Sequence, residues 1–244
     1  MKIVDKIDRL EEFDSQTPEF IAQGETGKFL KLIPDTFIIK SETDQNGFNQ
    51  GYAIRHQNQK DIILIDVIEK ATRDAVKKWI KDGYTIKAIL ISNTSVIKNS
   101  YADLKTLSED AGGASIYAHP MSTLKENFKI KDITVKKNEL FKSFGLTIYN
   151  LPGSGGGSVL IYSDLNEGML FTGEDAIGSP YDTELNEFSR PKIKSKNDEY
   201  GLAQNWSEFG QPFSYLFPLR GKPGFNLEEE DQTAILNKLS RWQE

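Results

Sequence analysis

The sequence predicts an α/β fold in which two mixed β-sheets are stacked and flanked by helices. Each half of the chain contains strand-like runs followed by amphipathic helices, which favours a layered sandwich over a doubly wound parallel sheet. The length of 244 residues suits one large domain of this class, and no internal repeat at a fixed period is present. We therefore expect a single domain over residues 1–244.

The first half of the chain predicts a helical extension and then alternating strands and helices. Residues 1–14 carry apolar side chains at helical spacing, so residues 1–28 are expected to form an N-terminal helical extension. Strands are expected in KFLKLIPDTFIIKS, GYAIRHQ, DIILIDVI, IKAILIS and ASIYAHP, which are rich in Ile and aromatic residues. Helices are expected in ATRDAVKKWIKDGY and YADLKTLSEDAGG, each with Gly near its end.

The second half predicts five further strands and a C-terminal helix. Two strands are expected in ITVKKNELFKSFGLTIYNLPG, two in SVLIYSDLNEGMLFTGE and one in FSYLFPLRG, before the helix EEEDQTAILNKLSRW. Residues 178–211 mix charge, Pro and Gly with little periodicity, which indicates an insertion or lid. The aromatic residues of 177–217 could line a cleft, form a subunit interface or pack into the core.

Composition excludes several classes of function. The net charge of −6 disfavours nucleic acid as a partner, and the absence of Cys excludes disulfides and thiolate metal sites. His56 and His119 are the only histidines, so a site built from a histidine cluster is excluded. No stretch approaches the roughly 18 apolar residues of a membrane span, and the charged N-terminus does not resemble a signal peptide. We expect a cytoplasmic protein that does not bind membranes.

The order of these motifs resembles the metallo-β-lactamase superfamily over about residues 29–225. The resemblance rests on LID, IKAILIS, SIYAHP, LPG, SVLIYSD and LFTGE, taken in sequence with the intervening helices. It implies a four-layer αββα sandwich of two mixed sheets. The family also implies a hydrolase with two metal ions, held by His-x-His-x-Asp-His and by ligands further along the chain.

The metal-ligand positions implied by the resemblance carry other residue types here. After IKAILIS, Asn93, Ser95 and Lys98 fall at the histidine positions and Ile97 at the aspartate position. Further along the chain, Ser154 and Arg220 fall at histidine positions of the family. Glu174, followed by Asp175, falls at the position of the aspartate that bridges the metals, so it is the one downstream position with a metal-binding side chain. We therefore expect no metal, no cofactor and no catalytic residue of the family's kind. One alternative is a mononuclear site made of His119, Glu174 and Asp175.

The replaced residues have three possible roles. Lys98 and Arg220 could supply the positive charge that Glu174 or Asp175 requires, with Asn93, Ser95 and Ser154 completing a hydrogen-bonded network. They could instead face water as ordinary surface residues. In the third reading they form a cationic pocket for a carboxylate or phosphate, where Arg220 offers its planar fork.

The sequence as a whole predicts a metallo-β-lactamase-fold protein that lacks the dinuclear site and is catalytically inactive. Its role would be binding or regulation, through the cleft and residues 178–211, with a small anionic ligand or a protein as partner. A homodimer is possible. One alternative is a hydrolase that acts without metal or with one non-standard metal site, and another is a structural subunit whose partner carries an intact site.

Overall fold

A computed structural model describes residues 13–42, 48–67, 70–93, 101–121, 129–151, 157–191, 193 and 195–242. The helix predicted over residues 1–14 lies outside this part of the chain except for its last two residues. Ser95, Ile97, Lys98 and Ser154 also lie outside it.

The first sheet contains seven of the described strands, in chain order across the sheet. Neighbours from β1 to β4 are antiparallel, and those from β4 to β7 are parallel. The strands are β1 (Phe29–Ile33), β2 (Thr36–Glu42), β3 (Phe48–Arg55), β4 (Asp61–Ile65), β5 (Thr85–Leu90), β6 (Ser115–Ala118) and β7 (Ile130–Asp132).

The second sheet is mixed and contains four described strands in the order β13-β10-β9-β8. It consists of β8 (Leu146–Leu151), β9 (Ser158–Ser163), β10 (Met169–Gly173) and β13 (Tyr215–Pro218), and only the β10–β13 pair is parallel. A separate antiparallel pair is formed by β11 (Ile177–Gly178) and β12 (Phe188–Ser189).

The described residues form six α-helices. They are α1 (Phe13–Gln23), α2 (Arg73–Lys81), α3 (Tyr101–Asp110), α4 (Glu139–Ser143), α5 (Lys196–Glu208) and α6 (Glu229–Leu239). α6 has three acidic residues in its first turn and Lys238 in its last, so its charges interact favourably with the helix dipole. None of the described helices is long and apolar enough to cross a membrane.

The buried side chains form three apolar layers, and these define the four-layer sandwich. Tyr52 of the first sheet packs on Phe171 and Phe217 of the second, with ring centroids 5.4 and 5.2 Å apart. Trp79 of α2 lies in the layer outside the first sheet, and Trp206 of α5 lies in the layer outside the second. The predicted αββα sandwich of two mixed sheets is therefore confirmed.

Residues 178–211 contain a helix that the sequence did not predict. The buried positions of α5 are Glu199, Leu202, Ala203 and Trp206, a helical spacing that begins with a charged residue. Glu199 is buried against Arg190. A charged residue at this buried position interrupts the apolar periodicity by which the helix could be predicted from the sequence. Of the aromatic residues at 177–217, Phe188, Trp206, Phe209 and Phe213 pack in the layer outside the second sheet, whereas Tyr200 is 60% exposed.

The prediction of a first strand in ITVKKNELFKSFGLTIYNLPG was wrong. The strand β7 lies just before this segment, and ELFKS within it forms the short helix α4. Asn138 determines this outcome, because its side-chain oxygen accepts hydrogen bonds from Leu140 N (3.1 Å) and Phe141 N (3.3 Å) at the helix start. The second predicted strand is β8.

Candidate functional site

The candidate site lies where four strands from the two sheets end. Asp66 follows β4, Ser92 and Asn93 follow β5, Glu174 follows β10, and Arg220 follows β13. β4 and β5 are parallel neighbours, as are β10 and β13, so each pair brings its carboxyl ends to one edge of its sheet. The two edges meet, because Asn93 Nδ2 donates a hydrogen bond to Ser158 Oγ at the start of β9 (2.7 Å).

Asp66 organises the end of β5 from a buried position. Its carboxylate accepts hydrogen bonds from Ser92 N (2.8 Å) and Ser92 Oγ (2.6 Å), and its own backbone has a positive φ of 53°. Burial raises the pKa of Asp66 to about 6, the bonds from Ser92 oppose this rise, and the charge of Glu174 adds to it. Asp66 therefore fixes the backbone that leads to Asn93.

Gly173 allows the two strand ends to approach each other. It has a φ of 55°, and a Cβ atom at this position would lie 2.2 Å from Ser92 Oγ. Its carbonyl accepts a hydrogen bond from Leu219 N (2.9 Å), which joins the β10 end to the β13 end. Only glycine combines a positive φ with the absence of a Cβ atom, so it fits here without strain. The turn then places Glu174 beside Arg220.

Glu174 and Arg220 form a partly exposed ion pair at the ends of β10 and β13. Arg220 Nη2 donates to Glu174 Oε1 (3.0 Å), and Arg220 Nε donates to Asn49 Oδ1 of β3 (3.0 Å). The Glu174 side chain is 24% exposed and that of Arg220 is 53% exposed. Solvent screens such a pair, so its contribution to folding stability is small. The next residue, Asp175, is fully buried, and its backbone N–H donates a hydrogen bond to Thr172 O (3.0 Å).

Residues 181–185, here called the strap, are hydrogen-bonded to elements next to the site. The buried amide of Gln50 donates to Gly221 O (2.6 Å) and Pro218 O (3.2 Å), while its Oε1 accepts a hydrogen bond from Tyr181 Oη (2.5 Å). Lys222 Nζ donates to the carbonyls of Thr183 and Leu185, the latter at 3.2 Å. Residues 181–185 are therefore tied to β3 and to the segment that carries Arg220.

Sequence reasoning missed Gln50 and Lys222 as parts of this site. Gln50 occupies the same face of β3 as Tyr52, and a polar residue at such an inward position was the available signal. Burial raises the pKa of both Tyr52 and Tyr181 well above the usual range, so their hydroxyl groups stay protonated and act as donors. Tyr52 Oη donates to Pro218 O at 2.6 Å.

The donors that the structure describes at this site do not fit a dinuclear metal centre. No group of three or more His, Cys, Asp or Glu side chains comes together within the described ranges. His119, Glu174 and Asp175 are all described, and they do not form such a group. His119 Nδ1 instead accepts a hydrogen bond from Met121 N (3.1 Å). Glu174 contacts Arg220, whose guanidinium has hydrogen-bond donors and no lone pair to offer a metal ion.

The predicted site residues divide into two groups. The structure brings Asn93, Glu174, Asp175 and Arg220 to one end of the sandwich. Ser95, Ile97, Lys98 and Ser154 lie outside the described residues, so their part in the predicted network stays a prediction.

Comparison with known proteins finds structural likeness without sequence likeness. No family model matches the chain, and no curated protein matches its sequence significantly. The crystal structure of the DIM-1 metallo-β-lactamase is similar with a TM-score of 0.64 at 15% identity, covering 88% of this chain and 95% of that one. The metallo-β-lactamase from Pontibacter korlensis gives 0.63 at 13% identity, covering 88% and 99%. That from Hirschia baltica gives 0.56 at 18% identity, covering 86% and 97%.

Proposed function

We propose that this chain, which has the metallo-β-lactamase fold, is a metal-independent binding protein whose cleft around Arg220 takes a small anionic ligand. The observation that carries the proposal is the contact between Arg220 and Glu174. By the resemblance, these two residues fall at the positions of a metal-binding histidine and of the bridging aspartate. A guanidinium therefore provides the positive charge that the family obtains from metal ions.

The acids and the guanidinium of the cleft differ in their access to solvent. Asp66 and Asp175 are buried and Glu174 is three-quarters buried, whereas about half of Arg220 is exposed. A ligand that enters from solvent therefore meets a cation first. Asn49 Oδ1 and Glu174 Oε1 hold the Nε and Nη2 sides of this cation, which fixes the plane of its fork. Such an orientation favours bidentate recognition of a carboxylate or phosphate.

The strap at residues 181–185 supports a binding role because it forms a fixed wall. Tyr181 and Lys222 are held by hydrogen bonds to Gln50 and to backbone carbonyls, so the wall needs little ordering when a ligand binds. A preformed wall next to an oriented guanidinium suits selective binding of one small ligand.

The proposal is tested by the effect of anions on thermal unfolding. Inorganic phosphate and citrate are titrated into the purified protein, into an Arg220→Gln variant and into an Arg73→Gln variant. Arg73 is a matched control, because it forms an ion pair with Asp110 in the helical layer outside the first sheet. We expect at least one anion to raise the melting temperature of the wild type and of Arg73→Gln, and to leave Arg220→Gln unchanged. A ligand at about 100 times its Kd adds about 2.7 kcal/mol to the unfolding free energy.

Three results would overturn the proposal. The first is an equal shift in the Arg220→Gln variant, which would place the anion elsewhere, and the second is no shift with either anion. The third is turnover of a chromogenic lactam, thioester or phosphodiester by the purified chain, which would restore the hydrolase alternative. That assay is run with and without excess chelator, so a metal-dependent activity is distinguished from a metal-free one.

A further inference from the structure

Among the described strands, β8 lies at one edge of the second sheet. It pairs with β9 over its whole length, from Leu146 opposite Ser163 to Leu151 opposite Ser158, with no shift of register. Among the described strands, none pairs with its other side. Its sequence LTIYNL contains no charged residue and no Pro, and its pairing contains no bulge. Natural proteins place charges, prolines and bulges at sheet edges to block pairing with another strand. Because β8 has none of these, its edge can accept another strand.

A groove of about 750 Å³ runs beside the first half of this strand. One wall is formed by residues 145–148 and the other by residues 134–139, with Lys142 also in the lining. The second wall is already ordered, because Asp132 Oδ1 accepts hydrogen bonds from Thr134 N and Thr134 Oγ1, each at 2.7 Å. An extended segment entering this groove would meet the backbone of β8 directly.

The groove is more basic than the chain as a whole. Its lining includes Lys136, Lys137 and Lys142 against Glu139 and Asp164, an excess of one positive charge in a chain of net charge −6. None of the three lysines forms an ion pair with another described residue. Their charges are available to a partner, and they favour an acidic one.

Apolar side chains accompany the lysines in the groove. Val135 on the wall is 51% exposed, and Ile148 of β8 is partly exposed. In strand addition, main-chain hydrogen bonds provide affinity, and pockets for alternate side chains provide specificity. The groove therefore offers contacts for the uncharged residues of a bound strand as well as for its acidic ones.

The groove is separate from the cleft around Arg220. The groove lies beside the first residues of β8. The cleft lies near the other end of the strand, because Ser158, which accepts a hydrogen bond from Asn93, pairs with Leu151, the last residue of β8. Six residues of extended chain span roughly 17 Å. A segment bound here would not occupy the cleft.

From these observations we infer that the edge of β8 binds an extended acidic segment of a partner protein, which adds as a fifth strand to the second sheet. The backbone edge supplies the hydrogen bonds, and Lys136, Lys137 and Lys142 select for acidic side chains. The inference is independent of what the cleft binds.

The test uses two capped, fluorescently labelled peptides, one of alternating Glu and Thr and one of alternating Lys and Thr. Fluorescence anisotropy measures their binding to the wild type and to a Lys136→Glu, Lys137→Glu, Lys142→Glu triple variant. We expect the acidic peptide to bind the wild type with a Kd below about 1 mM and the basic peptide not to bind. The triple variant should bind the acidic peptide at least about tenfold more weakly. Hydrogen exchange should show slower exchange of the β8 amides when the acidic peptide is present.

Two controls separate strand addition from general charge attraction. A Lys78→Glu, Lys81→Glu, Lys87→Glu variant makes the same change of net charge at exposed lysines of α2 and β5, and should alter the Kd by less than about twofold. A second control is the acidic peptide with alternate backbone nitrogens methylated, which keeps its charge but loses the N–H groups that would pair with β8. This peptide should not bind.

Three results would overturn the inference. The first is the absence of binding by the acidic peptide, and the second is equal binding by its methylated form, since that would leave charge as the only cause. The third is protection of the β8 amides without peptide, together with a dimer in sedimentation. That result would mean that a second copy of the chain covers the edge.

Discussion

Replacing Arg190 by methionine tests whether residues 178–211 are an integral part of the sandwich. Arg190 and Glu199 are almost completely buried, and Arg190 Nη1 donates to Glu199 Oε2 (2.7 Å) while Nη2 donates to Oε1. The same guanidinium donates from Nε to Leu239 O and from Nη2 to Arg241 O, each at 2.6 Å. One side chain thus joins the inserted segment, α5 and the C-terminal end of α6.

The expected loss of stability is large because the partner charge stays buried. Removing one member of a buried ion pair costs about 3–5 kcal/mol, and the lost bonds to the Leu239 and Arg241 carbonyls add about 1 kcal/mol each. We therefore expect Arg190→Met to lower the unfolding free energy by about 5–7 kcal/mol, out of a typical total of about 5–15 kcal/mol. Adding Glu199→Leu should recover part of this loss, since the double variant leaves no buried charge.

Urea unfolding followed by tryptophan fluorescence measures these differences, because Trp206 lies in the layer that the pair supports. Lys238→Met is the control, as it removes an exposed pair with Glu187 and should cost less than about 1 kcal/mol. A loss below about 1 kcal/mol in Arg190→Met, or a double variant that loses the sum of both single losses, would refute this account of the segment.

Three further predictions concern the site itself. Burial raises the pKa of Asp66 from its ordinary 3.8 to about 6, so the folded chain binds this proton more tightly than the unfolded chain. Protonation of Asp66 contributes fully to the free energy of unfolding below about pH 4, and about 3 kcal/mol of this contribution is lost as the pH rises through 6. Asp66→Asn should abolish this pH dependence, which urea unfolding at several pH values measures. Gly173→Ala should cost at least about 2 kcal/mol, because its Cβ would clash with Ser92 at a positive φ; an unchanged urea midpoint would contradict this. Tyr181→Phe should cost about 1–2 kcal/mol by leaving Gln50 Oε1 without this donor, and an unchanged melting temperature would show that the strap is not held there.

The layered fold could be predicted because its strands and helices have clear periods. β4 is a nearly continuous apolar run, β5 ends in three buried apolar residues, and α6 has acidic residues at its start. The helix α5 could not be predicted in this way, because its buried face includes Glu199, whose partner Arg190 lies outside the helix. Long-range pairing of this kind leaves no local periodic signal.

The candidate site could be predicted only where the resemblance supplied an alignment. Glu174 and Arg220 are 46 residues apart, and they meet because β10 and β13 are parallel neighbours, which no local pattern specifies. The motif LID was recognised as part of the resemblance, yet the role of Asp66 became visible only through its bonds to Ser92. Gln50 was missed because its partners, Tyr181 and Gly221, are distant in sequence.

The most direct test of the central claim is the metal content of the purified protein, followed by titration with zinc and manganese while the melting temperature is recorded. If Arg220 takes the place of metal charge beside Glu174, the account predicts less than about a tenth of a metal ion per chain and no thermal shift. Near-stoichiometric metal, or a shift of several degrees at micromolar zinc, would contradict it. In that case the cleft would hold ligands for a metal, and the chain would have to be assigned to the metal-dependent hydrolases.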